Sequence, residues 1–386
     1  MNREQDDDAP IYLDHNATTP VHPEVRAAML PWLGERWGNP SSGHAFGRAA
    51  AAAVAAARAE VAALVGADPS EIVFCSGGTE ADDLAILGAG AARGAAGHLV
   101  ISAVEHPAVE GPAARLEAEG WSMSRLAVDL DGAVDVKEAA AVAREAPPDL
   151  VSVILAQNET GVIQPVAEVA RAMRAANPAV VIHSDAAQAV GKVAVDVAAL
   201  GVDLLTIVGH KIYAPAGIGA LYVRAGTRLR PRLRGGGQEG GLRAGTEPVA
   251  AIVGLGAACA LARRTLGEEA ARQVGLREAL WGRLAAGVPG IRRTAGGARS
   301  LPGTLHVCFP AVSGAAVLAG APGVAASTGS ACHGHGGGGG VLAAMGVPAE
   351  VRGGAVRLSL GRSSDAAAIE RAGALLVASW EAARRG

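Results

Sequence analysis

Short apolar runs alternate with longer alanine-rich stretches between about residue 20 and residue 260. The short runs are rich in β-branched residues, which is typical of strands that are buried on both faces of a sheet. The longer stretches, such as 49–65, have the apolar spacing of helices. This alternation predicts βαβ units around a mainly parallel sheet, with ligands bound at the carboxyl ends of its strands. The strand-like runs lie at 71–75, 98–102, 150–155, 180–182 and 204–208.

The pattern changes after an apolar segment at 248–262. This segment is shorter than the roughly 20 residues that cross a bilayer, so we predict a buried helix and expect no membrane partner. Beyond it, strand-like runs at 305–309 and 355–360 lie between helical stretches, which predicts a smaller α+β domain. The predicted domains are a large one over 19–261 and a small one formed by 1–18 and 262–386.

Composition and charge narrow the function classes. The chain has 386 residues, with 34 Lys plus Arg against 37 Asp plus Glu and no long basic block, so no nucleic-acid partner is expected. The first ten residues are acidic and polar, which is the opposite of a secretion or mitochondrial signal and predicts a cytoplasmic protein. Cys75, Cys259 and Cys308 lie in apolar segments and are interpreted as packing thiols, whereas Cys332 lies in a polar, glycine-rich stretch.

Two of the strand-like runs end in residues that carry chemistry. The run at 180–182 leads to Asp185, and the run at 204–208 leads to Lys211. The carboxyl ends of parallel strands meet at one edge of a sheet, so this carboxylate and this amine are expected to emerge together. Pyridoxal 5'-phosphate (PLP) needs such a pair, a lysine that binds it covalently and an acid against its pyridine nitrogen. Taken alone, Lys211 could also be a solvated surface lysine and Asp185 a helix cap.

Other positions near strand ends could hold the same cofactor. The segment 76–80 follows a strand and opens a helix, and its glycines and threonine suit a phosphate cradle, although such turns also occur without a ligand. His106 could stack on the cofactor ring or be structural. Asn158 could donate to cofactor or substrate or serve as a turn residue. Gln188 lies three positions after Asp185, so we predict that it shares a helical face with it and reaches the phenolic oxygen of the cofactor.

A series of motifs taken together closely resembles the cysteine desulfurase family. The motifs occur in that family's order and span about 11 to 364, nearly the whole chain. They are YLDHNATTP (12–20), GNPSS (38–42), SGGTE (76–80), EH (105–106), NETG (158–161), HSDAAQ (183–188), GHK (209–211), GGGQE (235–239), GTE (245–247), GSAC (329–332) and RLSLGR (357–362).

The resemblance implies an α/β protein with the PLP-dependent transferase fold of the aspartate-aminotransferase type. It also implies a homodimer with the active site at the subunit interface. By position, Lys211 would bind the cofactor covalently, Asp185 would pair with the pyridine nitrogen, Gln188 would contact the ring oxygen and His106 would stack on the ring. The residues implied for the phosphate are Gly78, Thr79, His210 and, from the other subunit, Thr246; those implied for the substrate carboxylate are Asn158 and Arg357.

Cys332 is implied as the acceptor of sulfur from L-cysteine, which would leave as L-alanine. In this hypothesis the amine of Lys211 moves the α-proton, and the Cys332 thiolate takes the sulfur as a persulfide for an acceptor protein. The glycines around Cys332 suit a loop that must move between two sites. His333 or His335 could help to form the thiolate or be polar loop residues. Together with Cys332 they mimic a metal cluster, but a fourth ligand is lacking, so no metal is expected.

The chain departs from the family at position 208, where many relatives carry a serine that binds the phosphate and this chain has Val208. Val208, and the histidine that follows the acceptor cysteine, resemble the selenocysteine lyase branch, so L-selenocysteine and other C–S or C–Se lyase reactions stay alternatives. A class V aminotransferase is a further alternative that would not need Cys332. A sulfur-relay scaffold without lyase activity is disfavoured because the other PLP positions are intact. The sulfur could serve iron–sulfur cluster assembly, tRNA thiolation or a dedicated biosynthetic pathway.

Overall fold

The computed structural model describes residues 9–328 and 340–385, and within these ranges the strands form three sheets. The strands are β1 Ile11–Tyr12, β2 Ile72–Cys75, β3 His98–Ser102, β4 Ser122–Leu126, β5 Leu150–Ser152, β6 Val181–Asp185, β7 Leu204–Val208, β8 Gly219–Val223, β9 Arg292–Arg293, β10 Thr304–Cys308, β11 Val324–Ala325 and β12 Ala355–Ser359. A seven-stranded sheet has the order β2-β8-β7-β6-β5-β3-β4, a second sheet has the order β12-β10-β9, and β1 pairs with β11.

Helices cover both faces of the seven-stranded sheet. Helices α2, α5, α6 and α8 share one apolar core with one face of the strands, and α3 and α4 share another core with the opposite face. The helices are α1 Pro23–Leu33, α2 Ala45–Val65, α3 Gly78–Arg93, α4 Pro107–Ala118, α5 Val136–Glu145, α6 Val166–Ala176, α7 Val197–Leu200, α8 Val249–Gly287, α9 Gly314–Ala319, α10 Gly340–Ala344, α11 Ala349–Arg352 and α12 Ala366–Arg385.

The prediction of a mainly parallel α/β sheet is confirmed. The pairs β3/β4, β3/β5, β5/β6 and β6/β7 are parallel, and only β8 runs antiparallel to its neighbours β2 and β7. The sequence analysis missed β4 and β8. The edge strand β4 reads Ser-Met-Ser-Arg-Leu and most of it is accessible to solvent, so it lacks the apolar signal of a buried strand. Only a short 3-10 turn and a glycine turn separate β8 from β7, so the alternation of strands and α-helices does not predict this strand.

The three-stranded sheet has two chemically different faces because its sequence alternates. Leu305 and Val307 of β10, together with Val356 and Leu358 of β12, belong to an apolar core that also contains residues of α8 and α12. The alternate positions carry Thr304, His306, Arg357 and Ser359, and cross-strand pairing sets His306 beside Arg357. Successive side chains of a strand point to opposite faces, so this polar set lies on the other side, toward the carboxyl edge of the large sheet.

Helix α8 is much longer than the predicted segment 248–262. The prediction ended at the two arginines 263 and 264, but the helix continues past them because their charged side chains lie at the surface. Arg263 pairs there with Glu60 at 3.0 Å, and Arg264 pairs with Glu24 at 2.8 Å. By length and composition alone α8 could cross a membrane, but core helices pass the same test, and α8 packs along α1 and α2. Its amino-terminal half lies in the large core and its carboxyl-terminal half in the small one. The predicted domain boundary falls inside this helix and stays a prediction.

Candidate active site

A cavity of about 340 Å³ lies at the carboxyl edge of the seven-stranded sheet. It is also bounded by the segment after β1 and by the polar face of β12. Most of the predicted site residues line this one cavity although they come from distant parts of the sequence. These residues are Gly78, Thr79, His106, Asn158, Asp185, Gln188, His210, Lys211 and Arg357.

A larger, more open cleft of about 780 Å³ lies at the opposite edge of the sheet. Two of its arginines are held in ion pairs, Arg93 with Asp149 at 2.8 Å and Arg174 with Asp203 at 2.7 Å. Ligands of parallel sheets bind at the carboxyl ends of the strands, and none of the predicted site residues lines this cleft. The smaller cavity is therefore the candidate active site.

Lys211 is held at the end of β7 by a short 3-10 turn over Gly209–Lys211. The turn needs glycine at 209, because a Cβ there would lie 2.8 Å from the carbonyl oxygen of Ile218. The Lys211 ammonium donates to the carbonyl oxygens of Asn16 and Ala17, each at 2.7 Å. Both acceptors belong to the segment that follows β1, so the amine is placed between the large sheet and the amino-terminal segment.

Asp185 is the last residue of β6 and is almost fully buried, with 3 % of its surface exposed. One carboxylate oxygen accepts a hydrogen bond from the backbone N–H of Ala187 at 2.8 Å. Burial, and after it the negative charge of Asp82, raise the pKa of Asp185 to about 7. A buried carboxylate is stable as an anion only beside a positive partner. The protonated pyridine nitrogen of PLP is such a partner, so the site fits this end of the cofactor.

The amino terminus of α3 fits the phosphate of the cofactor. The cap residue Gly77 has no side-chain acceptor for the first N–H groups of the helix, and such groups bind anions well. A Cβ at Gly78 would lie 2.8 Å from a methyl carbon of Val208, so glycine keeps this approach open. Val208 thus packs beneath the cradle. His210 lies beside the cradle, and its Nδ1 is 3.1 Å from the Thr18 hydroxyl.

His106 caps α4 and lines the cavity. Its Nδ1 accepts a hydrogen bond from the backbone N–H of Ala108 at 3.1 Å, which sets the plane of the ring and leaves the proton of the neutral ring on Nε2. Gln188 also lines the cavity, but the prediction that it shares a helical face with Asp185 was wrong. Residues 187–189 form a turn, because β6 leads into a tight reversal before residue 190 rather than into a helix.

The wall opposite the cofactor residues is formed around Arg357, in the middle of β12. One terminal nitrogen of its guanidinium pairs with an Asp14 carboxylate oxygen at 2.7 Å, and the other donates to the carbonyl oxygen of Asn158 at 3.0 Å. Only 7 % of the Arg357 side chain is exposed. A buried guanidinium held at two points keeps a fixed plane, and this plane suits two parallel hydrogen bonds to a carboxylate.

Comparison with known proteins agrees with this geometry. The family model for class V aminotransferases matches residues 11–372. A protein named cysteine desulfurase from Trichormus azollae is 43% identical over 369 residues, which cover 94% of this chain and 90% of that protein. The chain belongs to the cysteine desulfurase family. Members of this family depend on PLP, so PLP is the cofactor of the protein.

Solved structures show the same fold as this cysteine desulfurase family member. A structure described as a NifS-like protein has a TM-score of 0.89 and is 33% identical, with 96% of this chain and 98% of that chain covered. A structure titled SspA in complex with cysteine has a TM-score of 0.80 and is 32% identical, covering 90% of this chain and 98% of that one. The expected PLP-dependent transferase fold is therefore confirmed.

One residue implied by the family resemblance, Thr246, does not line the cavity within the described part of the chain. Thr246 is exposed on the loop before α8, and its predicted contact with the phosphate of another subunit stays a prediction. Arg243 of the same loop pairs with Glu80 in the first turn of α3, at 2.9 Å. Cys332, with the histidines at 333 and 335, lies outside the described residues.

Several residues of the site were missed although their motif was quoted. Asp14 and Asn16 belong to the YLDHNATTP motif, and the structure places both in the cavity wall. The carbonyl oxygen of Asn16 accepts from Lys211, and its side chain donates to Thr304 at 2.9 Å. No local sequence signal predicts these contacts, because the partners are far apart in the chain.

Asp82 was also missed, and here a signal was present in the sequence. Asp82 lies on a helix turn that faces the sheet, where a charged residue is unusual, and only 1 % of its surface is exposed. The Thr206 hydroxyl donates to its carboxylate at 2.6 Å, and His183 lies at 3.4 Å. Burial raises the pKa of Asp82 to about 7. A second buried carboxylate therefore lies beneath Asp185.

Proposed function

We propose that this protein is a PLP-dependent cysteine desulfurase that converts L-cysteine to L-alanine and takes the sulfur onto Cys332 as a persulfide. The observation that carries this proposal is the meeting of Lys211, Asp185 and Arg357 in one cavity of about 340 Å³. The amine and the buried carboxylate suit the two ends of the cofactor, and the guanidinium suits the carboxylate of an amino acid.

The residues of the chain divide the binding and proton transfer between them. Arg357 offers parallel donors to the substrate carboxylate and so orients its Cα toward Lys211. The Lys211 amine then takes the α-proton. Asp185 keeps the pyridine nitrogen protonated by pairing with it. When bound, the cofactor supplies an electron sink for the negative charge that develops at Cα. His106 lines the same cavity, where it would contact the cofactor ring and offer a second group for proton movement.

Cys332 accounts for the fate of the sulfur. Its thiolate attacks the substrate sulfur, an S–S bond forms as the Cβ–S bond breaks, and the carbon skeleton takes up a proton to leave as alanine. Ser327 lines the cavity, and its backbone is hydrogen-bonded to that of Arg357. The Arg357 N–H donates to the Ser327 carbonyl oxygen at 2.7 Å, and the Ser327 N–H donates to the Arg357 carbonyl oxygen at 3.3 Å. Cys332 is five residues from Ser327 in the sequence, and five residues span at most about 18 Å, so covalent reach permits the attack.

A homodimer is part of the proposal. Trp37 and Phe46 form an exposed apolar patch, with 65% and 53% of their surfaces exposed and their rings stacked at 5.4 Å, and Leu33 is a further exposed apolar side chain at 67%. Such a patch is typical of a surface that another protein covers. Thr246 is exposed and outside the cavity of its own chain, which supports a role in a second subunit's site. Light scattering of the purified protein should give twice the mass of one chain.

The experiment that tests the function compares alanine release from L-cysteine by the native protein and by Cys332→Ser. We expect the variant to keep the visible absorption of the bound cofactor but to lose alanine release from L-cysteine. Cys308→Ser is the matched control, because the Cys308 thiol is buried in the small sheet, and it should retain turnover. Full turnover by Cys332→Ser would contradict the acceptor role.

L-selenocysteine is the second substrate to measure, because Val208, which packs beneath the phosphate cradle, is one of the positions at which the sequence resembles the selenocysteine lyase branch. A preference for L-selenocysteine that survives in Cys332→Ser would identify a lyase instead of a desulfurase. Retained turnover of L-cysteine without any sulfur on Cys332 would have the same meaning. In the desulfurase the persulfide passes to an acceptor protein, and mass spectrometry of the native protein after turnover should show one added sulfur atom on Cys332.

A further inference from the structure

A second lysine lies behind the cofactor residues and has no role in the chemistry described so far. The Lys192 ammonium donates to the Gln188 side-chain oxygen at 2.6 Å and to the Asn16 side-chain oxygen at 3.0 Å. It is half-buried and lines a small cavity of about 20 Å³ together with Lys211. Burial, and the charge of Lys211, lower the pKa of Lys192 well below its usual value. A lysine is costly at such a place unless its hydrogen bonds are useful.

Contacts at both ends fix which way the Gln188 amide points. A carbonyl oxygen only accepts, so the Gln188 atom beside the Asn16 carbonyl oxygen must be the nitrogen, which leaves the Gln188 oxygen facing Lys192. The NH₂ group of Gln188 then faces the other way, and one of its hydrogens is bound by the carbonyl oxygen of Asn16 at 2.9 Å. An NH₂ group has two hydrogens, so a second one can be donated inside the cavity that Gln188 lines.

Asn16 connects this arrangement with the catalytic lysine. Its carbonyl oxygen accepts from both Gln188 and Lys211, and its side-chain oxygen accepts from Lys192. The Asn16 side-chain NH₂ donates to the Thr304 hydroxyl at 2.9 Å, which turns the side-chain oxygen toward Lys192. Both amides that Lys192 contacts are thus oriented, and each is also bonded to a group of the active site.

We propose that Lys192 is a positioning residue that holds Gln188 as a hydrogen-bond donor to the phenolic oxygen of PLP. Without Lys192 the Gln188 oxygen loses its partner and the amide is held only at its NH₂ end, by the Asn16 carbonyl oxygen, so the second NH₂ hydrogen is no longer fixed toward the phenolic oxygen. The proposal rests on the proposed function, because it needs the cofactor in this cavity. It assigns Lys192 an effect on cofactor binding and on the electronic state of the cofactor that is transmitted by Gln188.

A double-mutant cycle on the full chain tests this inference. Lys192→Met, Gln188→Leu and the double variant are stripped of PLP and refilled, and two quantities are measured without substrate: the dissociation constant of PLP and the position of the visible absorption band. We expect Lys192→Met to weaken PLP binding about 10-fold and to move the band, as Gln188→Leu does. The double variant should resemble Gln188→Leu, because Lys192 has nothing left to orient.

Lys137→Met is the matched control, since Lys137 is exposed in the first turn of α5, and it should leave both quantities unchanged. Lys192→Gln is a second variant whose NH₂ group can still donate, and its band should lie closer to that of the native protein. Thermal unfolding of the cofactor-free forms separates a folding defect from a binding defect.

An unshifted band and unchanged PLP affinity in Lys192→Met would overturn the inference. So would a loss in the double variant equal to the product of the two single losses, because Lys192 would then act independently of Gln188. If instead the native protein itself binds no PLP and shows no visible band, the proposed function fails, and this outcome is distinct from a failure of the inference.

Discussion

The cofactor half of the active site and its substrate half are built in different ways. In the cofactor half, Asp185 ends β6 and Lys211 follows β7, and these two strands are direct neighbours in the same sheet. In the substrate half, Arg357 is bonded to Asp14, which lies 343 positions earlier in the chain. One half depends on short motifs at strand ends, whereas the other depends on two distant segments that meet only after folding.

The two halves also differ in their electrostatics. Arg357 is already neutralised by Asp14, so the substrate half is a complete ion pair before any ligand binds. Asp185 has no ion-pair partner among the described residues, and burial with Asp82 nearby raises its pKa to about 7. The carboxylate of the cofactor half therefore receives its counter-charge from the ligand, whereas the guanidinium of the substrate half already has one from the chain itself and keeps further N–H groups for the substrate. Changes in the cofactor half should consequently have the larger effects.

Lys211→Ala should have the largest effect of all. The variant lacks the amine that binds the cofactor covalently and moves the α-proton, so we expect loss of the visible band and a fall in turnover of at least about 10³-fold. Absorption spectra and alanine release measure this. Lys192→Ala removes a lysine of the same region that does not take part in the chemistry, and it should keep a visible band. A coloured, active Lys211→Ala protein would contradict the assignment.

Asp185→Asn should reduce turnover by about 10²- to 10³-fold while leaving the cofactor bound. Asparagine keeps the shape and can still accept from Ala187, but it carries no charge to keep the pyridine nitrogen protonated. Steady-state kinetics and spectra of the refilled variant are the measurements. If the variant turned over at the native rate, Asp185 would be a structural cap and the electrostatic difference between the halves would disappear.

Arg357→Lys tests the substrate half. Lysine keeps the charge but has no pair of parallel donors, so the KM for L-cysteine should rise by about 10- to 100-fold with a smaller change in kcat. Arg362→Lys is the control, since Arg362 belongs to the same motif but bonds to Thr265 at 2.6 Å outside the main cavity. Equal KM values for both variants would show that Arg357 does not bind the substrate carboxylate.

Asp82→Asn should give the smallest effect, a change in the pH dependence of stability in the cofactor-free protein. Burial raises the pKa of Asp82 from 3.8 to about 7, so the folded state holds a proton that the unfolded state releases. This contribution to stability is complete below about pH 4 and is lost as the pH rises through about 7. Relative to the native protein, the variant should gain about 3 kcal/mol of unfolding free energy across this window. Denaturant titrations at pH 4.5 and pH 8 measure this difference, and a constant difference would mean that Asp82 is ionised throughout.

The cofactor half was predictable from the sequence because its signals are local. A β-branched run followed by a polar residue predicts both a strand and the place where its last side chain emerges, as at Asp185 and Lys211. The same reasoning missed the edge strand β4, because its polar sequence lacks this pattern. It also predicted a helix at Gln188, where the structure has a turn. In each case the local pattern carried no information about the neighbouring element that decides the structure.

By itself, the sequence determined the alternation of strands and helices, the mainly parallel sheet and the strand-end positions of the cofactor residues, because these follow from spacing over a few residues. Only the tertiary structure decided which distant groups meet. It brought Asp14 to Arg357, Asn16 to Lys211 and Lys192, and a second buried carboxylate at Asp82 beneath Asp185. The physical reason is that hydrogen bonds and charge interactions act over a few ångströms of space, whatever the distance along the chain.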